Sequence, residues 1–228
     1  MTVALRTSDG FADRLLADAR DGLAQYRAIC GDLGDVLDIG AHYGAFALEA
    51  REAGASSVLA VEASLANYTS LLENIMAVDG YSWRVSPIHA AVLESDLRTV
   101  PLRRAAGGNS GQYSVVFHEG HPLSDAAVPV LTFSTVLEKR FRWSYVKIDI
   151  EGGEWSLLQQ REKAVEILMA HTRFLDLEVH PLDAPEYYPA TPREQYAYVD
   201  EVGEWFRTAG HGVTWTAQHP TRLFVAAK

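Results

Sequence analysis

One cysteine, Cys30, stands among 228 residues. That excludes an intrachain disulfide and suits a reducing compartment; Cys30 itself reads as a small buried hydrophobe near the end of a first helix. Positive charge is also scarce. Twenty Lys and Arg against 30 Asp and Glu leave a formal charge of -10, which argues against a nucleic-acid partner, because phosphate binding needs a basic face. No apolar run approaches the ~20 residues of a membrane span, and residues 1–10 carry no apolar stretch like that of a signal peptide. The expectation is a soluble, cytoplasmic protein that makes no membrane contact. What is present is ordinary for a globular chain: 48% hydrophobic residues, enough for a sizeable core in one domain spanning 1–228.

Residues 9–29 carry Phe11, Leu15, Leu16, Ala19, Leu23 and Tyr26 at helical spacing, which predicts an amphipathic N-terminal cap within residues 1–30. Strand-like and helix-like stretches then alternate. Val36–Gly40, Ser57–Glu62 and Val85–Val92 read as strands, separated by helices over Gly44–Ala53 and Leu65–Val78. This order predicts a parallel sheet with right-handed crossovers and helices on both faces. The pattern breaks at 97–125, where 97–103 and 111–118 flank the turn Gly107-Gly-Asn-Ser-Gly111 and predict an inserted antiparallel hairpin. It resumes with a strand over Tyr145–Ile150, a helix over Glu154–Ala170 and a strand over Phe174–His180. Thr191-Pro-Arg-Glu194 is a capping box with proline at the first helical position, opening a helix to about Ala209 that Gly210 and Gly212 stop. Val213–Thr216 and Leu223–Ala227 complete a C-terminal antiparallel hairpin.

The most informative stretch is Val36-Leu-Asp-Ile-Gly40-Ala-His-Tyr-Gly44, an apolar strand running into a glycine turn and a helix. In such sheets ligands sit beyond the carboxyl ends of the strands, at the switch point, and glycines there turn sharply and permit close approach. A dinucleotide fingerprint needs glycine at the position of His42, so that a pyrophosphate can reach the backbone. His42 would crowd it. S-adenosylmethionine has no phosphate and tolerates the larger residue, and Asp38 can attract its sulfonium or ammonium charge. Glu62 ends the second strand eighteen residues beyond Gly44, near the ~20 expected of an acid that accepts from ribose hydroxyls. Small residues ending the third strand, Ala90 and Ala91, would leave room for adenine beside an exposed backbone N–H. The expected cofactor contacts are Asp38, Gly40, His42, Tyr43, Gly44, Glu62, Ala63, Ala90 and Ala91. A ligand-free turn, a surface glutamate and plain core packing are the respective alternatives.

Tyr145-Val-Lys-Ile-Asp-Ile-Glu151-Gly-Gly-Glu154 alternates strictly, with Lys147, Asp149 and Glu151 on one face, and Phe174–His180 repeats the design with Asp176, Glu178 and His180. Buried parallel strands are usually apolar on both faces, so these polar groups should lie at strand ends in the cleft. If the strands are neighbours, Asp149, Glu178 and His180 converge as a catalytic group. Either His180 or Asp149 serves as general base, or Asp149 and Glu178 hold a divalent cation such as magnesium; structural hydrogen bonding is the third reading. Glu154 reads as a complement to a helix dipole.

Taken together, Val36–Ala45, Val61-Glu62, Lys147-Ile-Asp-Ile-Glu-Gly-Gly-Glu154 and Glu178-Val-His180 resemble the FkbM-type methyltransferases over about residues 35–180. The Lys147–Glu154 block is the most specific part. The resemblance implies a class I Rossmann-like fold, S-adenosylmethionine as donor and O-methylation of a hydroxyl on a natural product or sugar. His42 departs from the asparagine common at that position. Pro185-Glu-Tyr-Tyr-Pro189, either an acceptor wall or a packed aromatic loop, and the loops at 104–125 are expected to choose the acceptor. N-methylation of an amine and a non-catalytic, cofactor-binding partner subunit are the alternatives; the costly polar set argues against the last.

Overall fold

The computed structural model describes residues 5, 12–78, 84–104, 113–115, 121–180, 192–215 and 221–228. In chain order the first elements are α1 (Ala12–Cys30), β1 (Asp35–Ile39), α2 (Ala45–Glu52), β2 (Ser57–Glu62), α3 (Leu65–Ala77) and β3 (Val85–His89). Then follow β4 (Ala91–Val92), β5 (Thr99–Arg104), β6 (Tyr113–Ser114), β7 (Leu123–Leu131), α4 (Phe133–Leu137) and β8 (Tyr145–Ile148). The chain closes with α5 (Trp155–Leu158), α6 (Glu162–Ala170), β9 (Phe174–Glu178), α7 (Pro192–Thr208), β10 (Gly212–Trp215) and β11 (Arg222–Ala226).

Seven strands form the main sheet in the order β10-β11-β9-β8-β1-β2-β3. β3, β2, β1, β8 and β9 are parallel, and β11 runs antiparallel to both β9 and β10. The chain reverses between β1 and β8, and ligands of open α/β sheets collect at such a reversal. Helices cover both faces. Leu16, Leu23 and Tyr26 of α1, Phe46 and Leu48 of α2, and Leu71 and Ile75 of α3 pack with Val36, Tyr145, Phe174 and Phe224. On the other face Phe133, Leu158, Leu168, Val202 and Phe206 pack with Leu37, Ile39, Ile148 and Leu177. Period-2 alternation along each strand sends successive side chains to these two cores.

Four expectations need correction. Val85–Val92 is two strands, because β3 pairs with β2 whereas β4 leaves to pair with β7. The 154–170 helix breaks at Arg161, which has φ 49, into α5 and α6. In the insertion, β5 does pair antiparallel with β6, but β6 is only two residues long and the main partner is β7, a strand the sequence did not mark. Its residues carry Ser124, Asp125 and Pro129 among small apolar side chains, a poor strand signal. Finally, Lys147 and Asp176 are not at strand ends: they sit within β8 and β9, opposite one another. The glycine turn 107–111, the aromatic segment 185–189 and the capping Thr191 lie outside the described residues.

Candidate active site

Strand register assembles the site. Ala60, Asp38, Lys147, Asp176 and Phe224 form one row across β2, β1, β8, β9 and β11. Lys147 therefore lies between two buried aspartates, and its Nζ donates to Asp149 Oδ2 at 2.9 Å. Asp38 has no solvent exposure, and neither carboxylate oxygen has a hydrogen-bond partner among the described residues. Burial drives its pKa up to about 7, against the pull of Lys147.

The glycine turn leaves β1 beside the end of β8. Asp149 N–H donates to the Ile39 carbonyl at 3.0 Å, and Gly40, at φ 88, comes so close that a Cβ would run into the Asp149 carbonyl. Glycine is thus demanded by contact with the neighbouring strand as well as by the turn. Gly44, at φ 89, caps α2. Tyr43 is buried with its ring 3.9 Å from that of His42, and the Tyr43 carbonyl accepts from Asn74 Nδ2 at 2.9 Å.

Glu62 closes the turn. One carboxylate oxygen accepts from His42 N–H and the other from Ser64 N–H, each at 2.8 Å. Burial raises its pKa, opposed by those bonds. The Asn67 side chain adds a further hydrogen bond, and the acceptor capacity that remains leaves room for a ribose hydroxyl. Ala63 follows, its carbonyl bonded to His89 Nε2 at 2.9 Å. Ala90 does not offer the free N–H expected of it, since that group donates to the Glu62 carbonyl at 3.0 Å. Ala90 packs in the main core and Ala91 in the core of the small sheet.

Beyond β8 and β9, Asp149, Glu178 and His180 do converge. His180 Nε2 lies 3.8 Å from Asp149 Oδ1, 3.8 Å from Glu151 Oε2 and 3.9 Å from Glu178 Oε1. Ligand atoms of Asp149, Glu178 and His180 all fall within 4.8 Å of one another. Thr221 Oγ1 donates to Glu178 at 3.1 Å.

Glu154, expected only to complement a helix dipole, is a direct partner of His180. It is 1% exposed; Oε1 accepts from His180 N–H at 2.6 Å and lies 3.1 Å from His180 Nδ1, while Oε2 accepts from Gly152 N–H at 3.0 Å. It orients the imidazole rather than merely facing a helix dipole. The available signal was its place directly after Gly152-Gly153, but its partner lies 26 residues away. Trp155 Nε1 adds a bond to the His180 carbonyl.

These contacts separate the titrations. Burial opposes charge on His180, but Glu151, Glu154 and Glu178 outweigh it and raise its pKa well above the ordinary value. Burial likewise opposes ionisation of Asp149, but Lys147 and His180 prevail and hold it at about 2. Glu151 rises to about 7 through burial and neighbouring carboxylates. Glu178 also rises, by burial first and Asp149 second. A weakly acidic carboxyl beside a charged imidazole is a proton-handling arrangement.

The sequence matches the Methyltransferase FkbM domain family over residues 38–210. No curated protein matches the chain. Among solved structures, the 2.2 Å crystal structure of WbdD is 14% identical with a TM-score of 0.51, covering 97% of this chain and 40% of that one. The methyltransferase FkbM from Methylobacillus flagellatus KT is 12% identical (TM-score 0.49; 96% of this chain, 56% of that one). The N-terminal domain of human METTL16, solved with SAH, is 14% identical (TM-score 0.48; 97% and 71%). The chain therefore spans about two fifths of WbdD. Among the described residues no helix is long and apolar enough to cross a membrane. With a Rossmann-like sheet, a glycine turn at its switch point and the family match over most of its length, this chain belongs to the FkbM methyltransferase family.

Proposed function

We propose that the chain transfers the methyl group of S-adenosylmethionine to a hydroxyl oxygen of a small molecule, a natural product or a sugar. The observation that carries this reading is the position of the Asp149-Glu151-Glu178-His180 cluster at the ends of β8 and β9, touching the β1 turn through Asp149 and Gly40. The chain's groups fit the donor. Asp38 brings a buried carboxylate, without a hydrogen-bond partner among the described residues, toward the pole that would hold a cationic ligand, and Glu62 ends β2 at the place of a ribose acceptor. Bound there, S-adenosylmethionine supplies an electrophilic methyl group on a sulfonium.

The rest is work for the protein. Glu151, with a pKa near the working pH, accepts the hydroxyl proton, and Glu178 is the second carboxyl placed to do so. Asp149 is too acidic for that role and serves, with Lys147, to fix the local field. His180 enters as imidazolium, oriented by Glu154. Alignment of donor and acceptor provides the remaining rate gain. A hydroxyl needs such a proton acceptor, whereas an amine needs less help; this favours O- over N-methylation and over a non-catalytic subunit.

A second reading rests on one observation, the 4.8 Å convergence of Asp149, Glu178 and His180 ligand atoms. With Nδ1 held by Glu154, Nε2 faces the acids and takes either a proton or a divalent cation.

Calorimetric titration with S-adenosylmethionine, S-adenosylhomocysteine and NAD tests the donor. Micromolar binding of the first two is expected, weakened at least tenfold by Glu62→Ala, followed by methyl transfer to hydroxylated acceptors. Binding of NAD alone would overturn the reading. Turnover lost in EDTA and restored by magnesium would establish the cation.

A further inference from the structure

The peptide group joining Glu151 to Gly152 is gripped at both ends. Its carbonyl accepts from Ser114 Oγ at 2.5 Å, and its N–H donates to Glu154 Oε2 at 3.0 Å. It lies between two left-handed residues, Glu151 at φ 51 and Gly152 at φ 95. Glutamate enters that region only where its surroundings over-determine the backbone.

The two grips come from different parts of the fold. Glu154, at the start of α5, also holds the backbone and ring of His180. Ser114, 1% exposed, belongs to β6 of the small sheet. That sheet has its own apolar core of Ala91, Leu93, Val100, Leu102 and Val128, so it is a firm support rather than a loose loop.

We propose that Ser114 is a positioning residue: by holding the Glu151–Gly152 peptide it places the Glu151 side chain against His180 Nε2, and makes the small sheet the acceptor-side half of the active site. The inference rests on the methyl-transfer reading of that site. Its part is in turnover, because Ser114 bonds to the β8 turn, whereas the β1 turn is braced by Glu62.

The test uses the full chain with Ser114→Ala and Ser114→Thr, the second retaining a hydroxyl donor. Calorimetry with S-adenosylmethionine should change less than about twofold in either variant. In Ser114→Ala the Gly152 amide should exchange roughly tenfold faster and the His180 ring resonances should move at constant pH; Ser114→Thr should restore both. Turnover of an acceptor found by screening should fall roughly tenfold with unchanged KM for the donor. Gly152 and His180 signals that stay in place in Ser114→Ala would overturn the proposal. So would a wild-type Gly152 amide that exchanges as fast as an unstructured one, a result independent of how any variant folds. A wild-type protein that binds no S-adenosylmethionine but keeps a protected Gly152 would defeat the methyl-transfer reading and leave the clamp intact.

Discussion

Two charged networks lie on the same face of the sheet, the outer one two residues further along β9 and just past the end of β8. The inner one joins Tyr145, Asp176 and Arg222. Arg222 Nε and Nη2 reach the two oxygens of Asp176 at 2.6 and 2.5 Å, and Tyr145 Oη donates to Asp176 Oδ2 at 2.5 Å. Asp176 and Arg222 are 1% and 3% exposed, and their charges cancel. The outer one, Asp149, Glu151, Glu178 and His180, is partly open to solvent and carries more acid than base, with Lys147 and His180 as its cations. A network whose only task is to close a core satisfies every donor and acceptor. One that must exchange a proton keeps carboxyl groups whose charge is not compensated. Composition does not distinguish them, since both draw on acid and base at alternate strand positions; closure does.

The comparison breaks most visibly at Arg222. Arg222→Met strands the Asp176 charge in the core and should lower stability by about 3–5 kcal/mol, read as a fall in Tm, with most of it recovered when Asp176→Leu is added. Glu178→Gln in the outer network should leave Tm nearly unchanged while turnover falls. If both substitutions cost the same stability, the division between the networks fails.

Asp38, buried beside Lys147 in the same row, gives a pH test. Its folded pKa of about 7 exceeds that of an unfolded aspartate, so the folded state binds the extra proton between about pH 4 and 7. Stability therefore falls as pH rises through that window, and the full cost is present above pH 7. Asp38→Asn should raise Tm at pH 8, by up to about 4 kcal/mol of stability, with the gain fading toward pH 4. An equal gain at both pH values would contradict the burial argument. The smallest effect is expected at Glu154. Glu154→Gln keeps the size but loses the charge that orients His180, and turnover should drop roughly tenfold, about 1.4 kcal/mol, with donor affinity unchanged. Loss of donor binding instead would assign Glu154 to the cofactor side.

Much of this was legible in the chain itself. The glycine turn after β1, Glu62 at the end of β2 and the alternation that carries Asp149 and Glu178 each follow from local pattern, and the structure places all three at one pole of the sheet. Other features escaped because their cause is not local. Lys147 and Asp176 carry the same alternating signature as Asp149 and Glu178, yet the sheet keeps the first pair within the strands and carries the second to the rim. β7 offered no strand-like periodicity and exists because β5 and β4 pair with it. Ala90 promised a free N–H until β2 took it.

The sequence alone determined the α/β class, the sheet-and-turn organisation, the acidic surface charge and the family, because periodicity, glycine placement and motif spacing act within a few residues of themselves. Tertiary structure decided which polar groups are buried and neutralised and which keep a reactive charge. Arg222 reaches Asp176 from 46 residues away, Ser114 reaches Glu151 from 37 and Glu154 reaches His180 from 26. A hydrogen bond is decided by position to within a few tenths of an ångström, and no pattern along the chain carries that information.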